Sequence, residues 1–101
     1  MTRKRQPDPH ADLFRAVLTL ETLDDCRRFF KDITTPAELK ALSERWHVAR
    51  LLDEGELSYR EIHDETGVST TTITRVARFL GQEPNRGYRL ILDRVKQSRV
   101  R

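Results

Sequence analysis

The sequence is poor in cysteine and histidine, and this scarcity excludes several kinds of site. Cys26 is the single cysteine, so no internal disulfide and no thiolate cluster can form, and a reducing compartment is the simple inference. The three histidines are scattered and lack the spacing of metal ligands. We therefore expect neither a metal ion nor a cofactor.

Long apolar runs are absent as well. No stretch approaches the roughly 18 consecutive apolar residues of a membrane span. The basic N-terminus is not followed by the apolar core of a signal peptide. From these absences we expect a cytoplasmic protein with no membrane partner.

Groups that would perform catalysis are also missing. Asp24 with Asp25, and Glu54 with Glu56, are neighbouring carboxylates, but both pairs fall at predicted helix ends, where capping and solvation explain them. The sequence has no glycine-rich nucleotide loop and no Ser-His or Cys-His arrangement. We expect a protein that is not an enzyme.

The composition nevertheless favours a folded domain. The 101 residues are 37% hydrophobic and 35% charged, so the apolar share is below average. The apolar residues recur at helical spacing, which favours a helical domain over a disordered chain. A core this thin is often completed by a partner subunit.

Positive charge is concentrated near both ends of the chain. The net charge is only +3. Residues 1–10 hold three basic side chains against one acidic one, and residues 66–101 hold eight against two. Such clustering is typical of proteins that bind polyanions. A solvated charged helix followed by an irregular tail explains the same charges equally well.

The pattern predicts six helices and contains no strand. Residues 1–8 are predicted to be a flexible basic N-terminal arm, residues 9–97 a helical domain, and residues 98–101 a frayed tail. Capping residues, prolines and glycines mark the helix ends. The predicted helices run from about Pro9 to Leu20, from near Thr22, from Pro36 to Asp53, from Ser58 to Gly67, from Ser69 to Gly81, and from Gly87 to Lys96.

The stretch from about Ser58 to Gly81 has the residues of a helix-turn-helix. Ser58-Tyr59-Arg60-Glu61 is a capping box that begins the first helix. Gly67 suits the left-handed backbone of the turn, and Ser69 is the expected N-cap of the second helix. The spacing Ile62, Gly67, Val68 and Ile73 is the recurring framework of the motif. We expect Ile62, Val68, Ile73 and Val76 to point inward.

The exposed start of the second helix carries hydroxyl groups where this motif meets base edges. Hydroxyls bond to phosphates or bases, threonine methyls contact thymine, and a helix N-terminus favours a phosphate. The predicted DNA-binding residues are Arg60, Ser69, Thr70, Thr71, Thr74, Arg75 and Arg78. The alternative is an ordinary helical hairpin with a glycine turn.

Segments between Thr34 and Leu80 are similar to the Trp repressor superfamily. Four segments are similar to the YerC/YecD-type branch of this superfamily: Thr35–Leu39, Leu51–Gly55, Ser69–Val76 and the tail Gly87–Arg94. The resemblance implies an all-α, six-helix Trp-repressor-like fold. It also implies an intertwined homodimer whose recognition helices lie about one DNA turn apart. The family's DNA contacts then fall on Arg60, Thr70, Thr71 and Thr74, and His63 occupies a basic family position, so a phosphate contact there is pH-dependent.

The same resemblance implies a candidate effector pocket, formed by Thr35, Arg45, Thr72 and Arg75. Trp repressor holds the tryptophan ring between two arginines, which Arg45 and Arg75 match. Val76, however, replaces a glycine, and Phe79 replaces a serine that helps to hold the amino group. We expect these side chains to fill the ring pocket, so that free tryptophan is not the effector. Arg45 and Arg75 are then structural or face phosphates, with an effector role as the alternative.

The sequence therefore predicts a sequence-specific DNA-binding transcriptional regulator, most simply a repressor. It would read a palindromic operator as a homodimer, and it would not respond to tryptophan. The alternative is a helix-turn-helix interaction module that docks on other proteins of the transcription machinery. The acidic side chains Glu61, Asp64 and Glu65 on the first motif helix are compatible with that role.

Overall fold

The computed structural model describes residues 8–82 and 84–100, and in these ranges the chain forms six helices and no strand. The helices are α1 (Pro9–Val17), α2 (Leu23–Ile33), α3 (Pro36–Glu54), α4 (Tyr59–Thr66), α5 (Thr70–Gly81) and α6 (Gly87–Val100). The predicted all-α, six-helix architecture is confirmed. Residues 1–7 of the predicted arm, and residue 101 of the predicted tail, lie outside the described residues.

Side-chain caps explain where the first helices begin. At the start of α1, the Asp8 carboxylate accepts a hydrogen bond from the His10 N–H at 3.0 Å. At the start of α2, the Thr22 hydroxyl accepts from the Asp25 N–H at 3.0 Å, and the Asp25 carboxylate accepts from the Glu21 N–H at 3.1 Å. These bonds satisfy backbone donors that a first helical turn leaves unpaired.

Two helices end at different places from those predicted. α1 stops at Val17, before Leu20, and the Thr19 hydroxyl donates to the Ala16 carbonyl at 2.7 Å. A side chain that bonds to a nearby carbonyl offers the backbone an alternative to further helix. α6 continues past Lys96 to Val100, since its last residues include no glycine or proline that would interrupt it.

Among the described residues, 8–36 belong to the first of two compact units. None of the described residues of this unit is buried. Phe14, Leu18 and Leu23 expose 61%, 83% and 74% of their surface. Exposed apolar area of this kind is unfavourable in water and typically marks a contact surface. The unit therefore leaves much of its apolar surface in contact with solvent.

Residues 37–101 form the second unit, which contains the buried core. The core joins α3, α4 and α5 through Val48, Ala49, Ile62, Val68, Ile73 and Val76. From α6, Leu92 is buried and Tyr88 packs against this cluster. The inward positions predicted for the helix-turn-helix are thus confirmed as core positions. None of the described helices combines the length and apolar character that crossing a bilayer requires.

An ion-pair network joins the end of α3 to α6. The Asp53 carboxylate lies 2.9 Å from the Arg89 guanidinium and 2.6 Å from the Lys96 ammonium, and the Asp53 side chain is only 9% exposed. Arg89 also contacts Asp93 of its own helix at 3.0 Å. The hydrogen bond from Lys96, helped by the one from Arg89, holds the pKa of Asp53 below its ordinary value, although burial raises it.

Replacing Asp53 by asparagine is expected to lower the free energy of unfolding at pH 7 by about 1 kcal/mol, because the charge-assisted bonds are lost while their partly exposed partners regain water. The pKa of Asp53 is lower in the folded chain than in the unfolded chain. The stability that Asp53 contributes is therefore complete at neutral pH and disappears as the pH falls through the folded pKa. Urea denaturation across this pH range measures the effect.

The matched control is Asp93→Asn, because the more exposed Asp93 carboxylate contacts Arg89 within the same helix. Its effect is expected to be smaller at every pH. A difference between wild type and Asp53→Asn that persists at acid pH contradicts the assignment.

Candidate nucleic-acid interface

α4 begins with a reciprocal pair of hydrogen bonds. The Glu61 N–H donates to the Ser58 hydroxyl oxygen at 3.1 Å, and the Glu61 carboxylate accepts from the Ser58 N–H at 2.8 Å. The predicted capping box is confirmed. In the same helical turn, Arg60 is exposed and its Nε lies 3.9 Å from the Asp64 carboxylate. Exposed pairs of this kind contribute little, so the guanidinium of Arg60 remains available to an anion.

Gly67 ends α4 in the left-handed region, with a φ of 75°, and its N–H donates to the His63 carbonyl at 2.9 Å. No atom lies within 4 Å of where a Cβ would stand. The backbone conformation, and not crowding, therefore accounts for the glycine. Thr66 supports this turn, since its hydroxyl donates to the Ile62 carbonyl at 2.7 Å and accepts from the Val68 N–H at 3.0 Å.

His63 also holds the turn, a role that the sequence did not reveal. Its Nδ1 lies 2.7 Å from the Val68 carbonyl oxygen. A carbonyl oxygen only accepts, so Nδ1 carries the proton and donates it. The imidazole thereby ties α4 to the buried residue that separates α4 from α5. Nε2 is then the ring nitrogen that this hydrogen bond does not use.

Ser69 caps α5 as predicted. Its hydroxyl oxygen accepts from the Thr72 N–H at 3.1 Å and lies 3.1 Å from the Thr72 hydroxyl, to which it donates. The cap satisfies a donor of the first turn and sets the residue at which α5 begins. It therefore determines which side chains stand on the exposed N-terminal turns of α5.

α5 presents threonines and arginines to solvent along one side. An open depression of about 450 Å³ is lined by Thr70, Thr71, Thr74, Arg75 and Arg78, all of them exposed. We call this set the α5 surface. Of the predicted DNA-binding residues, Arg60 and Ser69 are not among the lining of the α5 surface. Ser69 immediately precedes it as the cap, and Arg60 lies on α4.

The acidic side chains of the helix-turn-helix all belong to α4, whereas two of its arginines, Arg75 and Arg78, belong to α5. Glu61 is engaged in the capping box, and Asp64 lies near Arg60. Across residues 8–82 and 84–100, no group of three His, Cys, Asp or Glu side chains could hold a metal ion. The charged groups that line the α5 surface are both positive, which suits a polyanion.

A cavity of about 410 Å³ lies within the second unit, between α3, α5 and the start of α6. It is lined by Leu42, Arg45, Trp46, Arg75, Val76, Phe79, Asn85, Gly87 and Tyr88. Both arginines predicted for an effector pocket are in this wall. Thr72 is bonded to Ser69, Thr35 belongs to the first unit, and neither is among the described lining residues. Val76 and Phe79, the side chains expected to fill the ring pocket, also line this cavity.

Arg75 lines both the cavity and the α5 surface, and it is stacked on Phe79. Its guanidinium carbon lies 4.4 Å from the centroid of the Phe79 ring, and that of Arg78 lies 5.2 Å from the same centroid. Both distances are within the range of a cation–π interaction. Sequence reasoning assigned Phe79 to the pocket but missed the stack, although side chains four residues apart on a helix are neighbours.

The chain is similar to known proteins along most of its length. The family model for Trp repressor protein matches residues 10–96. The chain belongs to the Trp repressor family. The uncharacterised protein YerC of Bacillus subtilis (strain 168) is 46% identical over 86 residues, which cover 85% of this chain and 81% of YerC. A Trp operon repressor homolog of Chlamydia trachomatis serovar L2 is 37% identical over 76 residues, covering 70% and 81%.

A solved Trp-repressor-like structure agrees with this assignment. The TrpR-like protein from Eubacterium eligens superposes with a TM-score of 0.78 at 40% sequence identity, covering 85% of this chain and 87% of that chain. The family resemblance noted in the sequence, and the Trp-repressor-like fold that it implied, are therefore confirmed. Membership of the Trp repressor family supports, in general terms, a DNA-binding regulator of transcription and not an enzyme.

Gly67→Ala is expected to lower the free energy of unfolding by about 1 to 2 kcal/mol, because a Cβ is strained in the left-handed region. Gly81→Ala is the matched control. Gly81 also has open space around it but lacks a positive φ, so alanine there is expected to be neutral or stabilising by up to about 1 kcal/mol. Chemical denaturation of both variants measures the difference. Equal stabilities would show that the turn does not require glycine.

Proposed function

We propose that the protein is a sequence-specific DNA-binding regulator of transcription, acting as a repressor, with α5 as its recognition helix. The observation that carries the proposal is the α5 surface, where exposed threonines and arginines stand on the second helix of a helix-turn-helix. Membership of the Trp repressor family supports it. The relatives named above are bacterial, and a bacterial regulator of this kind would act on DNA in the cytoplasm.

The threonines are proposed to read bases. In a helix-turn-helix, the N-terminal residues of the second helix contact base edges in the major groove. The hydroxyls of Thr70, Thr71 and Thr74 are able to donate to or accept from those edges, and their methyl groups suit the methyl group of thymine. All three side chains are exposed and line one depression. They are therefore able to meet adjacent base pairs together.

The arginines are proposed to bind phosphates. Arg75 and Arg78 line the α5 surface, and Arg60 is exposed on α4. Ser69 stands at the N-terminus of α5, where backbone N–H groups and the helix dipole favour an anion. Phosphate contacts position the duplex without reading its sequence and make affinity depend on salt.

A homodimer is proposed as the DNA-binding form. The exposed side chains of Phe14, Leu18 and Leu23 on the first unit supply apolar area that a second copy could bury. Two copies related by a two-fold axis present two recognition helices. Such a dimer reads a palindrome whose half-sites lie about one helical turn, or 34 to 36 Å, apart.

Free tryptophan is not proposed as an effector. The Arg75 guanidinium already has an aromatic partner in the chain itself, because its carbon lies 4.4 Å from the centroid of the Phe79 ring. Phe79 also stands where Trp repressor has a serine that helps to hold the amino group of tryptophan. Buried Val76 stands where Trp repressor has a glycine, and its larger side chain leaves less room in the cavity. Arg45 and Arg75 are then proposed to be structural or phosphate-facing groups.

A second candidate function is an interaction module that docks on other proteins of the transcription machinery. The exposed acidic side chains Glu61, Asp64 and Glu65 on α4 favour it, because they would repel phosphates and suit a basic protein surface. Binding to duplex DNA that is weak, independent of sequence and insensitive to salt would favour this second function.

Selection of bound duplexes from a random DNA library, at near-physiological salt, is expected to enrich a palindrome with half-sites about one helical turn apart. Thr74→Ala is expected to relax the preference at one base pair by about 1 to 3 kcal/mol, because a base contact is lost. Affinity for the selected duplex should fall steeply as salt rises.

The matched control is Thr19→Ala, which removes an exposed threonine outside the helix-turn-helix. Its base preferences are expected to equal those of the wild type. Failure of the folded wild type to enrich any sequence, or a Thr74→Ala preference identical to wild type, argues against base readout by α5.

Calorimetric titration with free tryptophan is expected to give no binding at micromolar concentrations. The Arg75 guanidinium already lies over the Phe79 ring, and Phe79 has no hydroxyl to hold the amino group of a ligand. Titration with alanine supplies the background heat of an amino acid. Operator affinity should be the same with and without tryptophan. Tryptophan binding at micromolar or lower concentration contradicts this part of the proposal.

A further inference from the structure

Phe79 lies next to the α5 surface, and two arginines of that surface meet over its ring. The guanidinium carbons of Arg75 and Arg78 lie 4.4 Å and 5.2 Å from the ring centroid. Phe79 is half-buried, whereas both arginines are exposed. One ring that is partly held by the fold therefore restrains the exposed Arg75 side chain and also contacts that of Arg78.

Arg75 is the residue whose position is most affected by this restraint. It lines the α5 surface together with Thr70, Thr71 and Thr74, and it also lines the cavity behind that surface. A long, flexible side chain between two concavities has many rotamers to lose when it binds a phosphate. Stacking on Phe79 reduces that loss before any ligand arrives.

Stacking also leaves the guanidinium able to bind an anion. The π face of the ring attracts the flat face of a guanidinium, whose N–H donors lie in its own plane and point away from its edges. Those in-plane donors match the oxygens of a phosphate. A stacked arginine is thus prepared to bind phosphate, not prevented from doing so.

We propose that Phe79 is a positioning residue for DNA binding: its ring holds the guanidinium groups of Arg75 and Arg78 beside the threonines of the α5 surface. The inference rests on the proposed DNA-binding function. Phe79 itself need not touch DNA, because its contribution passes through the two arginines. An aromatic ring, and not merely an apolar side chain, is required at this position.

The test compares three variants. Phe79→Leu keeps an apolar side chain but removes the ring, Phe79→Trp keeps a ring, and Tyr88→Leu removes another half-buried ring from the same cavity. Dissociation constants for the selected operator, and for a random-sequence duplex at low salt, are measured by fluorescence anisotropy. The random duplex reports phosphate contacts even where no operator has been found.

Phe79→Leu is expected to bind both duplexes about threefold to tenfold more weakly, while Phe79→Trp and Tyr88→Leu stay close to the wild type. In NMR spectra, the ring-current shift of the Arg75 δ-protons should vanish in Phe79→Leu and persist in Tyr88→Leu. A thermal melt and gel filtration establish that fold and oligomeric state are unchanged.

Equal weakening by Phe79→Leu and Tyr88→Leu, or none by either, overturns the positioning role while the DNA-binding function stands. A folded wild type that binds neither duplex overturns the DNA-binding function and the positioning role with it. Should Phe79→Leu fail to fold, Arg75→Lys keeps the charge but loses the planar stack. Arg75→Lys is then expected to weaken binding by a similar factor, and wild-type affinity in that variant overturns the proposal.

Discussion

The geometry of the interface depends on three consecutive residues, Gly67, Val68 and Ser69. Gly67 reverses the chain through a left-handed conformation that other residues adopt only with strain. Val68 enters the core directly after it, and Ser69 then caps α5. Because turn, packing and cap follow one another without a spare residue, α4 and α5 have little freedom to change their angle. The exposed side chains at the start of α5 therefore have a defined direction.

The rest of the second unit supports this motif. Val48 and Ala49 of α3 complete the core between α4 and α5, and the Asp53 network attaches α6 to the end of α3. An ion pair with a largely buried carboxylate is favourable only when its hydrogen bonds are made, and Asp53 has two such partners. In the first unit the situation differs, because its large apolar side chains remain exposed. The buried apolar side chains of the described residues therefore belong mainly to the core that positions α5.

Arg75 connects the two concavities of the second unit. Its side chain lines the open cavity, and it also lines the α5 surface beside the threonines and Arg78. The Phe79 ring is its aromatic partner within the protein. The family resemblance drew attention to Arg75 as a ligand-binding group, whereas its observed partner is a side chain on its own helix.

The sequence alone was sufficient to predict the six helices, the helix-turn-helix and the residue types of the α5 surface. Their signals are local: the capping box at Ser58, the glycine at the turn and the helical spacing of apolar residues each act within a few positions. The hydrogen bond between His63 and Val68, the Asp53 network and the open cavity beside Phe79 required the tertiary structure. Asp53 and Arg89 are far apart in the chain, and no local pattern relates them. Contacts of that kind exist only once helices have packed, because packing alone sets the distance between residues on different helices.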